Sequence, residues 1–326
     1  MPEKTPSFLA TLRDKGWGSV LLLFAVVGLL AAFHPGVLDR QNMANVLAQS
    51  AIVGVCAVGM TFVLLSGGID LSVGSVLALA GAVGAWTCKE LGLPVPLAWA
   101  VAVLTGTVCG LASGSLVAFG RVPPFMATLA MLAAARGGTL LLTQGYPVSG
   151  LPPAFYTPGW ASVGPFPVSG LVFFGLALAA WVLLQRTPFG THLRAFGDNP
   201  ETARLAGLSA PRLTLSVYAI SGSLAGLAGV LMVGRLWSAQ PNVGMGLELD
   251  VIAAVVLGGA SLFGGVGGVG GTVAGVLIMG FLDNGLRLLA ISSYVQQSVK
   301  GLVFIGAVLL DLAFKGYYRK GRGRDA

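Results

Sequence analysis

The chain has 326 residues, 55% of them hydrophobic and only 10% charged, with a formal net charge of +7. A soluble domain carries roughly 25% charged residues, so the deficit excludes a water-soluble globular protein and predicts an all-α, polytopic membrane bundle. Cys56, Cys88 and Cys109 have no close pair spacing, and His34 and His192 stand alone, which excludes a disulfide framework and a His/Cys metal site.

Uncharged runs that reach or approach the ~20 residues needed to cross a bilayer cover 16–33, 41–69, 71–88, 91–120, 213–234 and 251–282. Lys4, Arg13 and Lys15 precede the first run, and no small-x-small cleavage site follows it. Residues 1–16 therefore read as a cytoplasmic segment before a retained first span, with a cleaved signal peptide as the alternative. Ten spans are expected, at about 17–34, 43–65, 71–88, 95–119, 124–143, 169–185, 212–235, 249–264, 268–286 and 293–313. Residues 137–185 carry no charge, but Pro147, Pro152, Pro153, Pro158, Pro165 and Pro167 make the middle of that run a loop.

With the N-terminus inside, the inner segments hold 13 of the 19 Lys and Arg residues, the bias that the positive-inside rule requires. The predicted organisation is a membrane domain at 17–313, a polar cytoplasmic loop at 186–212 and a basic cytoplasmic tail at 314–326. The tail cations Lys315, Arg319, Lys320, Arg322 and Arg324 follow from the same rule, and no nucleic-acid partner is expected.

The 49 glycines include small-xxx-small pairs at Gly110/Gly114, Gly222/Gly226 and Gly271/Gly275. They predict close helix packing inside the bundle, with contact between copies as the alternative. V-L-L-S-G-G-I-D-L-S at 63–72 is echoed by A-V-V-L-G-G-A-S-L-F at 254–263. Gly-broken segments in the two halves of a transporter point to a transport path, although chance similarity in a Gly/Leu/Val-rich chain is an open alternative.

The polar loop has a delimited centre, G-D-N-P-E-T-A-R-L-A-G at 197–207. Asp198 or Asn199 is a suitable N-cap, Pro200 suits the first turn, Glu201 suits the positive end of the helix dipole, and Gly207 can close the helix. About two turns of surface helix are expected there. Local chemistry fits a docking handle and a plain capped connector equally.

Several acids lie at or within spans. Asp70, with Ser66, Ser72 and Ser75, is either a polar group at a gate or path, or a cap for the following helix. Glu248 and Asp250 invite the same cap reading, or could face an external partner. Asp283 and Asn284 are candidate path residues, and Lys300 in the last span must snorkel, pair or line an aqueous route. G-G-V-G-G-V-G-G at 264–271 joins apolar spans, so it lacks the strand–turn–helix setting of a dinucleotide site. No G-x-x-x-x-G-K-[ST] motif occurs.

E-T-A-R-L-A-G at 201–207 resembles the E-A-A-x-x-x-G loop of ABC importer membrane subunits, without the continuation of the wider consensus. The stretches at 59–75, 122–132, 238–265 and 281–289 resemble permeases of the ribose/xylose type, and the likeness covers roughly 42–313. This resemblance implies an ABC importer permease fold and a transmembrane subunit of the bacterial inner membrane, with both termini cytoplasmic. It implies a second permease subunit, identical or different, a separate ABC ATP-binding subunit that holds ATP and Mg, and a periplasmic sugar-binding protein. The chain itself would then hold no cofactor and not be an enzyme. Asp198, Asn199, Glu201, Ala203, Arg204 and Gly207 would couple to the ATPase, with added contacts from Arg194 and Arg212. Ser66, Asp70, Ser72, Ser75, Asp283 and Asn284 would line the path or gate. A monosaccharide is the expected cargo, with another small polyol-like molecule, such as a furanose signalling compound, as the alternative. An ion-coupled secondary transporter is the rival class.

Overall fold

The structure is a computed structural model that describes residues 17–322. Lys4, Arg13, Lys15 and Arg324 lie outside the described residues, as do the side chains of Lys315, Arg319, Lys320 and Arg322. The helices in chain order are α1 Trp17–Phe33, α2 Arg40–Leu65, α3 Val73–Glu90, α4 Val95–Ala118, α5 Pro124–Thr143, α6 Pro153–Trp160, α7 Val168–Arg186, α8 Pro188–Asp198, α9 Pro200–Leu205, α10 Ala210–Leu236, α11 Leu247–Leu257, α12 Val269–Leu288 and α13 Ser293–Arg322. A 3-10 turn at Pro35–Leu38 and a small hairpin, Ser162–Val163 with Phe166–Pro167, complete the described elements.

Among the described residues, α2, α4, α5, α7, α10 and α12 are long and apolar enough to cross a membrane by length and composition. Helices also form at the other four expected spans: α1 and α3 lie within two residues of the expected bounds, whereas α11 and α13 differ in extent. The span expected at 249–264 is an 11-residue helix, α11, followed by an irregular turn over 258–268. Proline-rich residues 144–168 are not all loop, since Pro153 starts α6 from its favoured first-turn position. The final helix continues to Arg322, past the last expected span boundary.

α10 is the centre of the bundle, packed against α2, α3, α4 and α6. Its glycines make this possible. A Cβ on Gly222 would collide with the Gly106 carbonyl of α4, and one on Gly229 would meet the Leu77 carbonyl of α3 at 2.5 Å. One on Gly234 would stand 2.5 Å from the Tyr156 carbonyl of α6. Gly110, Gly222 and Gly226 are used in contacts between α4 and α10, and Gly271 and Gly275 in contacts between α11 and α12. The small-residue pairs thus serve packing within the chain, where dispersion and backbone approach replace the hydrophobic drive that lipid does not supply.

The echoed segments share a local structure. α2 ends at Gly67 (φ +78) with a hydrogen bond from Gly68 N to Val63 O at 3.0 Å. α11 ends at Gly259 (φ +89) with a bond from Ala260 N to Val255 O at 3.2 Å. This is the same six-residue closure with glycine in the left-handed position. Both closures come to one end of the bundle, where Gly265 N donates to Leu65 O at 3.0 Å.

Candidate coupling and translocation sites

The polar loop folds as two helices, not one. α8 buries Leu193 and packs Phe189 against Phe62 of α2, with ring centroids 6.2 Å apart. α9 follows after a break at Asn199, which is its N-cap: the Asn199 Oδ1 accepts from Thr202 N at 2.9 Å. Asp198 instead ends α8. Gly207 (φ +85) closes α9 through its N–H to Arg204 O at 3.0 Å, and Leu208 N reaches Ala203 O at 3.0 Å. Ala203 is buried and anchors the helix, Glu201 and Arg204 pair at 2.7 Å on its exposed side, and Leu205 is 76% exposed. The Arg204 hydrogen bond, and then its charge, hold the Glu201 carboxyl below the usual carboxylate range. The pair is therefore intact at neutral pH and is lost only as pH falls through that lowered value. Arg212 is exposed, while Arg194 is half-buried.

The handle is seated on both glycine closures. A Cβ on Gly197 would collide with Leu65 O and lie 2.7 Å from Gly265 N. One on Gly264 would stand 2.6 Å from Gly197 O and 3.0 Å from Gly67 Cα. From Gly67 the chain turns back into the bundle, reaching Asp70 beside Ser221. Ser221 is 11 residues from the start of the 27-residue α10, about 16 Å along its axis.

Asp70 is 2% exposed and fully enclosed by donors. Its Oδ1 accepts from Ser72 N at 3.0 Å and Ser72 Oγ at 2.6 Å, and its Oδ2 from Ser221 Oγ at 2.8 Å. It thus fastens the start of α3 to mid-α10, while Ser72 occupies the N-cap position of α3. Ser75 is buried nearby, and the Ser66 hydroxyl donates to Val63 O at 2.7 Å within the α2 closure. Asn284 exchanges amide hydrogen bonds with Asn42 of α2 at 2.8 and 2.9 Å.

Asp283 belongs to a second cluster. Lys300 Nζ lies 2.8 Å from Asp250 Oδ2 and 2.9 Å from Asp283 Oδ2, so α13 pairs with both α11 and α12. The sequence marked all three residues separately; only the fold joins them. On α5, Arg136 Nη1 donates to the carbonyls of Pro241 at 2.6 Å and Val243 at 2.9 Å, holding the segment before α11. At the α9 end, the Asp311 carboxylate of α13 accepts from Leu262 N at 3.1 Å and Ser261 Oγ at 3.2 Å, fixing the 258–268 turn. Arg136 and Asp311 carried no local signal of these roles, because each partner group is backbone or hydroxyl far along the chain. No His, Cys, Asp and Glu grouping among the described residues could hold a metal ion.

A family model described as branched-chain amino acid transport system / permease component matches residues 42–308. The chain belongs to this permease family. Ribose import permease RbsC of Escherichia coli K12 is 44% identical over 303 residues, covering 90% of this chain and 92% of the relative. RbsC of Bacillus subtilis 168 is 44% identical over 296 residues with the same coverage. Xylose transport permease XylH of E. coli K12 is 35% identical over 339 residues, covering 85% of this chain and 86% of the relative. No solved structure matches the chain. The chain is a multi-pass membrane permease subunit, and the stretches likened to permeases from the sequence all lie within the matched region.

Proposed function

We propose that this permease forms the path for a ribose-class monosaccharide in an ATP-driven importer of the bacterial inner membrane, working as one of a pair. The observation that carries the reading is the 44% identity to ribose import permeases along 90% of the chain. The 35% identity to a xylose transport permease supports a sugar cargo over the amino acids named in the broader family description. A small polyol-like molecule such as a furanose signalling compound is the alternative cargo.

In this reading α9 docks in a cleft of a separate ATP-binding subunit, which holds ATP and Mg, and both termini lie on the same cytoplasmic side. A periplasmic binding protein delivers the sugar at the opposite end of the bundle. The capped α9 supports the docking role: Asn199, Glu201 and Gly207 hold it without an external partner, so its exposed Leu205 is presented in a fixed place. An exposed apolar side chain on an otherwise polar handle fits a partner pocket, since buried apolar anchors dominate interface energies.

The test is reconstitution in vesicles with the binding protein, with and without the ATPase. Sugar uptake should require ATP and the ATPase. Uptake driven by an ion gradient alone would overturn the reading in favour of a secondary transporter. Gly207→Pro and Glu201→Lys should reduce uptake while ATP hydrolysis continues and the subunit remains inserted. Proline has no N–H for Arg204 O and its φ near −65° is incompatible with +85°. Normal uptake by both variants would make α9 a connector only.

A further inference from the structure

α11 is short for a helix in a membrane bundle. It has 11 residues and leads into the turn over 258–268, where Gly264 (φ +91) and Gly265 (φ +73) hold conformations that glycine adopts readily and other residues do not. That turn meets the polar handle. A Cβ on Gly264 would stand 2.6 Å from Gly197 O, and one on Gly265 would stand 3.1 Å from Asp198 Cα. Glycine backbone rotates easily, so a push from the end of α8 is absorbed in the turn unless a stiffer element holds it.

α13 is placed to be that element. Among the described residues it packs chiefly on α11. Two polar ties fasten the pair, and they share a register. Lys300 Nζ donates to Asp250 Oδ2 at 2.8 Å, an offset of 50 positions. Asp311 Oδ2 accepts from Ser261 Oγ at 3.2 Å, again an offset of 50, and from Leu262 N at 3.1 Å, an offset of 49. Equal offsets mean that α11 and its turn run parallel to α13 without slipping. The two ties span residues 300 to 311 of one unbroken helix, about 16 Å along its axis. Between them Val303, Phe304 and Ala307 pack into the core that holds Val251 and Val255. These residues and the two ties recur every three or four positions, so they form one stripe of α13.

The second tie also closes the turn itself. Ser261 N donates to Val266 O at 2.9 Å, and Ser261 Oγ accepts from Phe263 N at 3.2 Å while it donates to Asp311. Asp311 thus grips a closed loop whose other side, Gly264 and Gly265, rests on the handle.

We infer that α13 is a splint. It makes α11 and the 258–268 turn one stiff piece, and Asp311 and Lys300 are positioning residues that carry a displacement of the handle to Asp250. Without Asp311 the displacement is lost in the glycine turn. The inference rests on the reading of α9 as the handle of an ATPase and names the residues that pass its movement on.

The experiment uses the full chain reconstituted with its ATPase and binding protein, and reads sugar taken up per ATP hydrolysed. Asp311→Ala should lower this ratio by about two- to thirtyfold, the range open to a single position on a coupling route. Asp311→Asn should keep most of it, because both donors converge on one oxygen, which an amide also supplies. A merely structural role would lower uptake and hydrolysis together and leave the ratio unchanged, which overturns the inference. A second measurement replaces the tie covalently. In a chain with Cys56, Cys88 and Cys109 changed to alanine, Ser261→Cys with Asp311→Cys should lower the ratio, and a short bifunctional thiol reagent should restore it. A ratio that stays low or falls further on crosslinking means that the turn and α13 separate during the cycle, and the splint is overturned. Failure of the importer reading is a separate result, seen as absence of ATP-dependent uptake by the native chain.

Discussion

Asp70 shows how a single carboxylate can be settled by its donors. Three hydrogen bonds from Ser72 and Ser221 account for both oxygens of a side chain that is 2% exposed. Hydrogen bonds to charged groups contribute about 1.5–3 kcal/mol each. Ser221→Ala should therefore lower the thermal unfolding midpoint in detergent, while Ser223→Ala, a partly buried neighbour on α10, should change it less. An equal loss in both would mean that Asp70 is not held by Ser221. The local turn from Asp70 to Ser72 was legible in the sequence because cap chemistry acts over two residues. Ser221 was not, since nothing near it marks a partner 151 positions away. Asn284 was marked from its position in a span, but the Asn42 amide that it faces, 242 positions away, was not.

Among the elements, α11 departs furthest from expectation. Its apolar run continues across 251–282, so composition alone gave no reason to stop at Leu257. The stop comes from Gly259, which takes the left-handed conformation that the echoed Gly67 takes at the end of α2. Glycine in both copies carried the signal, but in a chain with 49 glycines it stands out only beside its counterpart. The packing of α13 on α11 depends on Lys300. Lys300→Met leaves two carboxylates together without a cation. Breaking a fully buried pair costs about 3–5 kcal/mol, and the partial exposure here should make the loss smaller. Adding Asp250→Asn and Asp283→Asn should restore part of it, measured as the melting temperature of the purified subunit. A triple variant no more stable than Lys300→Met would show that charge imbalance is not the cause.

For the whole molecule, the helical membrane class followed directly from composition, and most helix positions from uncharged runs and prolines. The arrangement of helices around α10 did not, because the glycine contacts that define it look alike in sequence and differ only in what faces them. The polar handle was recognisable as capped, but α8 was not, since its amphipathic face is covered by α2 and α7. Orientation is directly testable. A cysteine at Leu205, in the background without native cysteines, should react with an impermeant thiol reagent in inverted membrane vesicles and not in intact cells stripped of their outer membrane. Reaction only in the latter would place α9 on the opposite side.

The seat of Gly197 on Leu65 and Gly265 has a mechanical consequence. No room exists for a methyl group between these backbones, so the end of α8 cannot advance without displacing the ends of both α2 and α11 at the same moment. The hydrogen bond at this junction ties Gly265 to Leu65, not to Gly197. With no clearance at these glycines, a push on the end of α8 would bear on both segments at once, while Phe189 keeps α8 in contact with Phe62 of α2.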